Sequence, residues 1–183
     1  MKNYINRIIG IILLIGSTFS CSSDLDFDQA NDLKLQPTVV GNFSYFNIAA
    51  ADFVGDDGSQ RNIQFDNQEF DVFRDRNLNS YLQKADFHFE ITNTINRAYT
   101  LMVLLQDENN QTLDSILFTI PAYTGSNNTI TRTEVFENQR LELLKRARKM
   151  EFLIAMSPGP ALNKNSTGNL ILRSSATVYL EIQ

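Results

Sequence analysis

From Lys84 to Thr92 the chain alternates with period two. Ala85, Phe87, Phe89 and Ile91 fall on one side, and Lys84, Asp86, His88, Glu90 and Thr92 on the other. Successive side chains of a strand point to opposite faces, so this run folds as a strand with one buried and one wet face. A helix would scatter the same apolar residues around its circumference. The pattern also selects the kind of sheet. A parallel sheet is covered on both faces and needs continuous apolar runs, whereas an antiparallel sheet accepts alternation. Similar alternation runs from Thr38 to Ile48. Tyr99 to Gln106 and Leu113 to Ile120 flank the polar turn Asp107-Glu108-Asn109-Asn110-Gln111 and read as a hairpin. Pro121 ends its second strand, because proline has no N–H for a ladder. Ile63 to Phe65 and Phe70 to Phe73 read as short strand pieces, Asp75 to Leu82 as a helical turn, and Phe152 to Met156 and Leu170 to Ile182 as closing strands.

One segment departs from this period. Asn138 to Met150 carries Leu141, Leu144 and Ala147 at helical spacing, with Leu143 and Met150 near the same face and Asn138 as the expected N-cap. Arg140, Lys145, Arg146, Arg148 and Lys149 gather towards its end, where the helix dipole favours cations. In an acidic chain this basic stretch is a candidate docking surface for an acidic partner protein or an anionic lipid head group. Dipole complementation on an exposed helix face is the preferred account of it. The expected fold is therefore mainly β: an antiparallel β-sandwich with one short helix near residues 138–150. Its order of elements is distantly similar to immunoglobulin-like (Ig-like) and LEA-type-2-like sandwiches, an analogy of fold that carries no function.

The first thirty residues carry an address. Lys2 and Arg7 precede the apolar run Ile8 to Ile15, then the small residues Gly16, Ser17, Thr18 and Ser20, then Cys21. Eight apolar residues are too few to cross a bilayer, which needs about 20. They fit a secretory signal, which takes no part in the fold. Ser20-Cys21 resembles the core of a bacterial lipoprotein signal, in which the Cys becomes the lipidated first residue. Thr18 and Phe19 depart from the leucine-then-small pattern of that family. The segment that follows holds Asp24, Asp26, Asp28 and Asp32. It reads as a solvated tether, and it also resembles the export signal of Bacteroidota surface lipoproteins. These resemblances imply a signal peptide over residues 1–20, an acidic tether over 21–35 and a single domain over 36–183. They also imply an outer-membrane anchor made by acyl chains on Cys21, with the protein at the cell surface or facing the periplasm. Each buried CH₂ of such a chain contributes about 0.8 kcal/mol.

Composition then excludes several functions. The 183 residues include 16 Lys and Arg, 21 Asp and Glu, one His, one Cys and no Trp. Losing Lys2 and Arg7 takes the 16 basic residues to 14 against 21 acidic ones, a net charge of −7. That sign disfavours nucleic acid and anionic head groups as partners. A single Cys permits no internal disulfide and no cysteine-rich zinc site. His88 lies between Asp86 and Glu90 on one strand face, a trio with the chemistry for a metal or a general base, but no second His or free Cys completes it. Asp52, Asp56 and Asp57 beside Gly58 resemble a calcium loop in composition only. Counting from Asp52, an EF-hand would need Gly at position six and Glu at position twelve, where Asp57 and Ile63 stand. No nucleophile elbow, phosphate loop, dinucleotide fingerprint or cofactor motif appears. With no Trp, Tyr45, Tyr81, Tyr99 and Tyr123 are candidate aromatic platforms for a sugar, although Tyr at alternating positions more often serves half-buried packing. The expectation is a non-enzymatic, lipid-anchored binding or accessory module for another envelope protein. Glycan binding or processing at the surface is the alternative.

Overall fold

The computed structural model describes residues 34–67 and 76–182. Contacts divide the chain between Lys34 and Leu35, and Leu35–Ile182 form one unit. Cys21, Asp24, Asp26 and Asp28, and the strand piece expected from Phe70 to Phe73, lie outside the described residues.

The elements run β1 (Thr38–Ala49), a 3-10 turn (Ala50–Phe53), β2 (Ile63–Asn67), α1 (Arg76–Tyr81), β3 (Leu82–Asn93), β4 (Tyr99–Gln106), β5 (Thr112–Ile120), β6 (Thr129–Phe136), α2 (Asn138–Arg146), β7 (Lys149–Met156) and β8 (Asn169–Leu180). They build two four-stranded sheets, in the orders β1-β8-β3-β6 and β2-β7-β4-β5. Every pairing is antiparallel. The antiparallel β-sandwich expected from the alternation is what the chain forms. Its strand order, however, is not the immunoglobulin-like one. Only β4 and β5 are sequence neighbours within a sheet, and every other connection crosses to the opposite sheet. That is the order of an eight-stranded jelly roll, two interleaved Greek keys.

Alternation produces the core directly. Ala85, Phe87, Phe89 and Ile91 of β3 are fully buried, facing Tyr99, Leu101, Val103 and Leu105 of β4 and Met150, Phe152 and Ile154 of β7. Rings interlock within and between the sheets: Phe87 lies 4.7 Å from Phe136 on the neighbouring strand, and Phe89 lies 5.2 Å from Phe118 of the opposite sheet, centroid to centroid. Phe65 stacks on Phe152 at 5.3 Å, with Phe46 edge-on to it at 5.4 Å. Each fully buried side chain of this size contributes about 1.5–3 kcal/mol.

Two elements differ from expectation. β6 takes up residues that carry little apolar signal. Its inward positions are Ile130, Arg132, Glu134 and Phe136, opposite Ile91, Phe89, Phe87 and Ala85 of β3. The two charges in the middle erase the pattern of a half-buried strand. The helix is also shorter than expected. It ends at Arg146, Ala147 is extended, and Lys149 already opens β7. β7 is a central strand paired with β2 on one side and β4 on the other, which outweighs the helical spacing of Ala147 and Met150. Glu137, not Asn138, holds the N-cap position; Asn138 has φ 52°, a left-handed conformation that Asn tolerates better than most residues.

Candidate docking site

The five cations of the basic stretch fall into two places. Arg140, near the start of α2, turns towards the gap between the edge strands β5 and β6. Its Nε donates to Asp114 Oδ2 at 2.9 Å and its Nη1 to Glu134 Oε2 at 2.9 Å, and the guanidinium sits 4.4 Å from the Phe136 ring centre. Asp114 is opposite Leu105 in the β4–β5 ladder, an inward position, so the arginine clasps one inward carboxylate from each sheet. Partial burial works against its charge, but its hydrogen bonds to Glu134 and Asp114 outweigh burial and hold its pKa above the ordinary arginine value. Arg132 extends this network: it pairs with Glu134, lies 4.6 Å from the Phe118 ring centre and donates to Leu117 O at 2.8 Å. Arg140 therefore closes the side of the sandwich.

The other four lie at the C-terminal end of α2. Lys145 pairs with Glu142 at 3.0 Å. Arg148 donates from Nη1 to the carbonyls of Lys145 at 2.9 Å and Ala147 at 2.8 Å, satisfying acceptors that a helix end leaves open. Lys149 reaches Asn110 Oδ1 at 3.5 Å. Arg146 is exposed and has no ion pair or side-chain hydrogen bond among the described residues. Together Arg146 and Arg148 form one wall of an open cleft of about 330 Å³, with Asp107, Glu108 and Asn109 of the β4–β5 turn as the other. The turn is held rigid from within, because Asp107 Oδ1 accepts the backbone N–H groups of Asn109 and Gln111 at 2.8 and 2.9 Å. The cleft thus presents cations and carboxylates side by side. It suits a polar, mixed-charge segment better than a uniformly acidic one.

The other candidate residues are separated by the fold. Asp86 accepts from Lys84 at 3.0 Å and from the Tyr179 hydroxyl at 3.1 Å, His88 Nδ1 lies 3.1 Å from Thr133 Oγ1, and Glu90 pairs with Arg173 at 3.2 Å. Each member of the trio faces a different neighbour. Lys84 is held protonated above its ordinary pKa, chiefly by its hydrogen bond to Asp86. Asp52 accepts the Ala49 N–H at 2.9 Å at the start of the 3-10 turn, and Asp56 pairs with Lys164 at 3.4 Å. Asp57 binds the Ser59 hydroxyl and N–H, which hold its carboxyl below the ordinary value. Among the described residues no group of three or more His, Cys, Asp and Glu is placed to hold a metal ion.

Of the tyrosines, Tyr99 is fully buried against Phe53 at 4.7 Å and offers no platform. Burial pushes its phenol well above the ordinary 10.0, opposed by the nearby charge of Arg97. Tyr45 is exposed, on the outer face of the β1-β8-β3-β6 sheet. Tyr81 and Tyr123 are half-buried.

One buried polar knot had no signal in the sequence. Asn93 is fully buried and donates to Arg97 O at 2.8 Å and Pro121 O at 2.7 Å while accepting the Ile95 N–H at 2.9 Å. Arg97 in turn donates to the carbonyls of Ser157 and Pro160. Its partners are backbone atoms about 60 residues away, which no residue pattern announces.

No helix among the described residues is long and apolar enough to cross a membrane. No protein-family model matches the chain, and no curated protein matches it in sequence. Its fold is similar to parts of solved structures at low identity. A protein of Parabacteroides distasonis described as secreted shares 13% identity over 64% of this chain and 37% of its own, with a TM-score of 0.44. The VP2 subviral particle of infectious bursal disease virus shares 11% identity over 79% of this chain and 32% of its own, with a TM-score of 0.41. Desmodium yellow mottle tymovirus shares 10% identity over 81% of this chain and 90% of its own, with a TM-score of 0.31. The chain thus spans about a third of the length of the first two.

Proposed function

We propose that this protein is a lipid-anchored, non-enzymatic module of the bacterial outer membrane, which docks another envelope protein through its β-sandwich. The observation that carries the reading is the N-terminal pattern: a basic start, the apolar run Ile8 to Ile15, and Ser20 directly before the only Cys of the chain. A free thiol in an oxidising compartment is a liability, and lipidation of Cys21 removes it. The acidic residues Asp24, Asp26 and Asp28 act as the export signal. The docking surface is the cleft bounded by Arg146 and the β4–β5 turn, since Arg146 is the cation of the basic stretch that the fold leaves free among the described residues. Arg140 and Arg148 serve the fold.

Membrane fractionation tests the anchor. The wild-type chain stays with the membrane and takes up labelled palmitate, and Cys21→Ala is released. A Cys21→Ala chain that remains membrane-bound, with no label on the wild type, overturns the anchor. Docking is tested by crosslinking in intact cells followed by affinity recovery. A stoichiometric envelope protein that is lost with Arg146→Glu supports the reading, and recovery of the bait alone contradicts it.

A second reading, glycan binding, rests on Tyr45. It is exposed directly opposite Arg173, on a sheet face where Asn42, Ser175 and, further across on β6, Thr131 and Thr133 carry hydroxyls and amides. A glycan array with wild type and Tyr45→Ala separates the two, since only glycan binding predicts a signal that the substitution removes.

A further inference from the structure

The sandwich has four edge strands: β1 and β6 in one sheet, β2 and β5 in the other. An edge exposes unpaired backbone groups, and proteins block it with short strands, inward-pointing charges or bulges. Three of the edges here are blocked in these ways. β2 has five residues. β5 carries Asp114 at an inward position, and β6 carries Arg132 and Glu134. β1 differs. It has 12 residues, lies in a run without charge from Leu35 to Ala51, and among the described residues pairs with β8 alone. Its guard among the described residues is the register shift between Asn42 and Ser44, which leaves Thr38 to Asn42 in unbroken register with β8. This is also where apolar side chains stand clear: Val39 is 53% and Val40 67% exposed, with Leu35 beside them at 53%.

We propose that two copies of this chain associate through Thr38–Asn42, paired antiparallel about a two-fold axis at Val40, to make one continuous eight-stranded sheet. A two-fold contact requires a surface complementary to itself. This segment meets the requirement without special register: Val40 faces Val40 of the second copy, Val39 faces Gly41, and Thr38 faces Asn42. The cross-strand pairs are apolar with apolar and hydroxyl with amide, both of which stabilise antiparallel ladders. Charge selects the occupant. The chain carries −5 overall, so copies repel except where they meet at an uncharged surface, and β1 is an edge of that kind. Five residues make a small interface, which places the dimer in the weak, concentration-dependent class. Display of many copies on one surface would favour it.

The test is sedimentation velocity on the chain, expressed with its own N-terminal segment and extracted in mild detergent, up to about 100 µM. The wild type shifts from monomer to dimer across that range. Val40→Lys places two ammonium groups opposite each other and raises the dissociation constant at least about tenfold. Val40→Thr, neutral and β-branched, retains the dimer. Because Val40 is largely exposed, both variants keep the wild-type melting curve, which is measured alongside. A wild-type chain that stays monomeric at the highest concentration overturns the proposal. So does a dimer that Val40→Lys leaves intact, since that contact lies elsewhere.

Discussion

Replacing Arg140 by Met keeps the length of the side chain over Phe136 and removes its charge. Two estimates of the cost compete. If the arginine behaves as an ordinary surface ion pair, the loss is about 0–1 kcal/mol. The geometry argues for more. Two charge-assisted hydrogen bonds of 2.9 Å are lost, each worth about 1.5–3 kcal/mol when buried. The arginine side chain is 37% exposed, so solvent screening reduces each to about 1 kcal/mol. Loss of the cation over the Phe136 ring adds about 0.5–1 kcal/mol. The carboxylates left behind are largely shielded from water, with Asp114 20% and Glu134 14% exposed, so they are poorly rehydrated. The sum is about 2–3 kcal/mol, which in a domain of this size lowers Tm by about 5–10 °C. Chemical denaturation of wild type, Arg140→Met, Asp114→Asn and the double variant supplies the coupling energy, expected at about 1 kcal/mol. Part of the loss should vanish in about 1 M salt, where the wild-type pairs are screened. A destabilisation under about 0.5 kcal/mol, or strictly additive single variants, would refute the reading of Arg140 as the clasp between the sheets.

Gly168 has φ +101°, and a Cβ there would lie 2.3 Å from the Thr94 carbonyl oxygen, so Gly168→Ala should cost more than about 2 kcal/mol in a urea melt. Tyr99→Phe should be neutral or stabilising by up to about 1 kcal/mol, because the buried hydroxyl has no hydrogen-bond partner among the described residues. The same phenol sets an alkaline limit. Its folded pKa lies above the unfolded value of 10.0, so its contribution is whole below pH 10 and is lost as pH rises beyond it. Melts above pH 10 should therefore show a smaller stability loss in Tyr99→Phe than in wild type. Arg148→Ala should cost about 1 kcal/mol by uncovering the carbonyls at the end of α2, whereas Arg146→Ala should stay within about 0.5 kcal/mol. Thermal melts of the pair separate the structural cation from the free one.

How much of this was readable depended on where each residue's partners lie. β3 was fully legible, since its apolar face and its wet face are both local facts. The β4–β5 hairpin was legible because its turn chemistry sits between its strands. β6 was not. Arg132 and Glu134 occupy inward positions where a strand pattern demands apolar residues, and what makes them acceptable is Arg140, Leu117 and Phe118 from other elements. The helix was over-extended for a related reason: Met150 has helical spacing relative to Leu143 and Ala147, but the gap between β2 and β4 claims it. The basic stretch stood out as composition, yet its division into clasp, cap and free cation depends on Asp114, Glu134 and the turn at Asp107, up to 39 residues away. The jelly-roll order was beyond reach, because alternation sets which face a residue takes and says nothing of which strand lies beside it.

The place of β8 has a consequence for how this molecule is made. The last strand of the chain lies in the middle of its sheet, between the first strand and the third, with Thr38 opposite Tyr179. Until residues 169–180 have been synthesised and released, β1 has no neighbour to bond with in that sheet and β3 lacks one of its two. The opposite sheet can form its β4–β5 hairpin early, but the first sheet assembles only around β8, across loops of up to about 140 residues. A chain that lacks β8 therefore leaves this sheet unlocked. Completion of that sheet is timed by the twelve residues of β8.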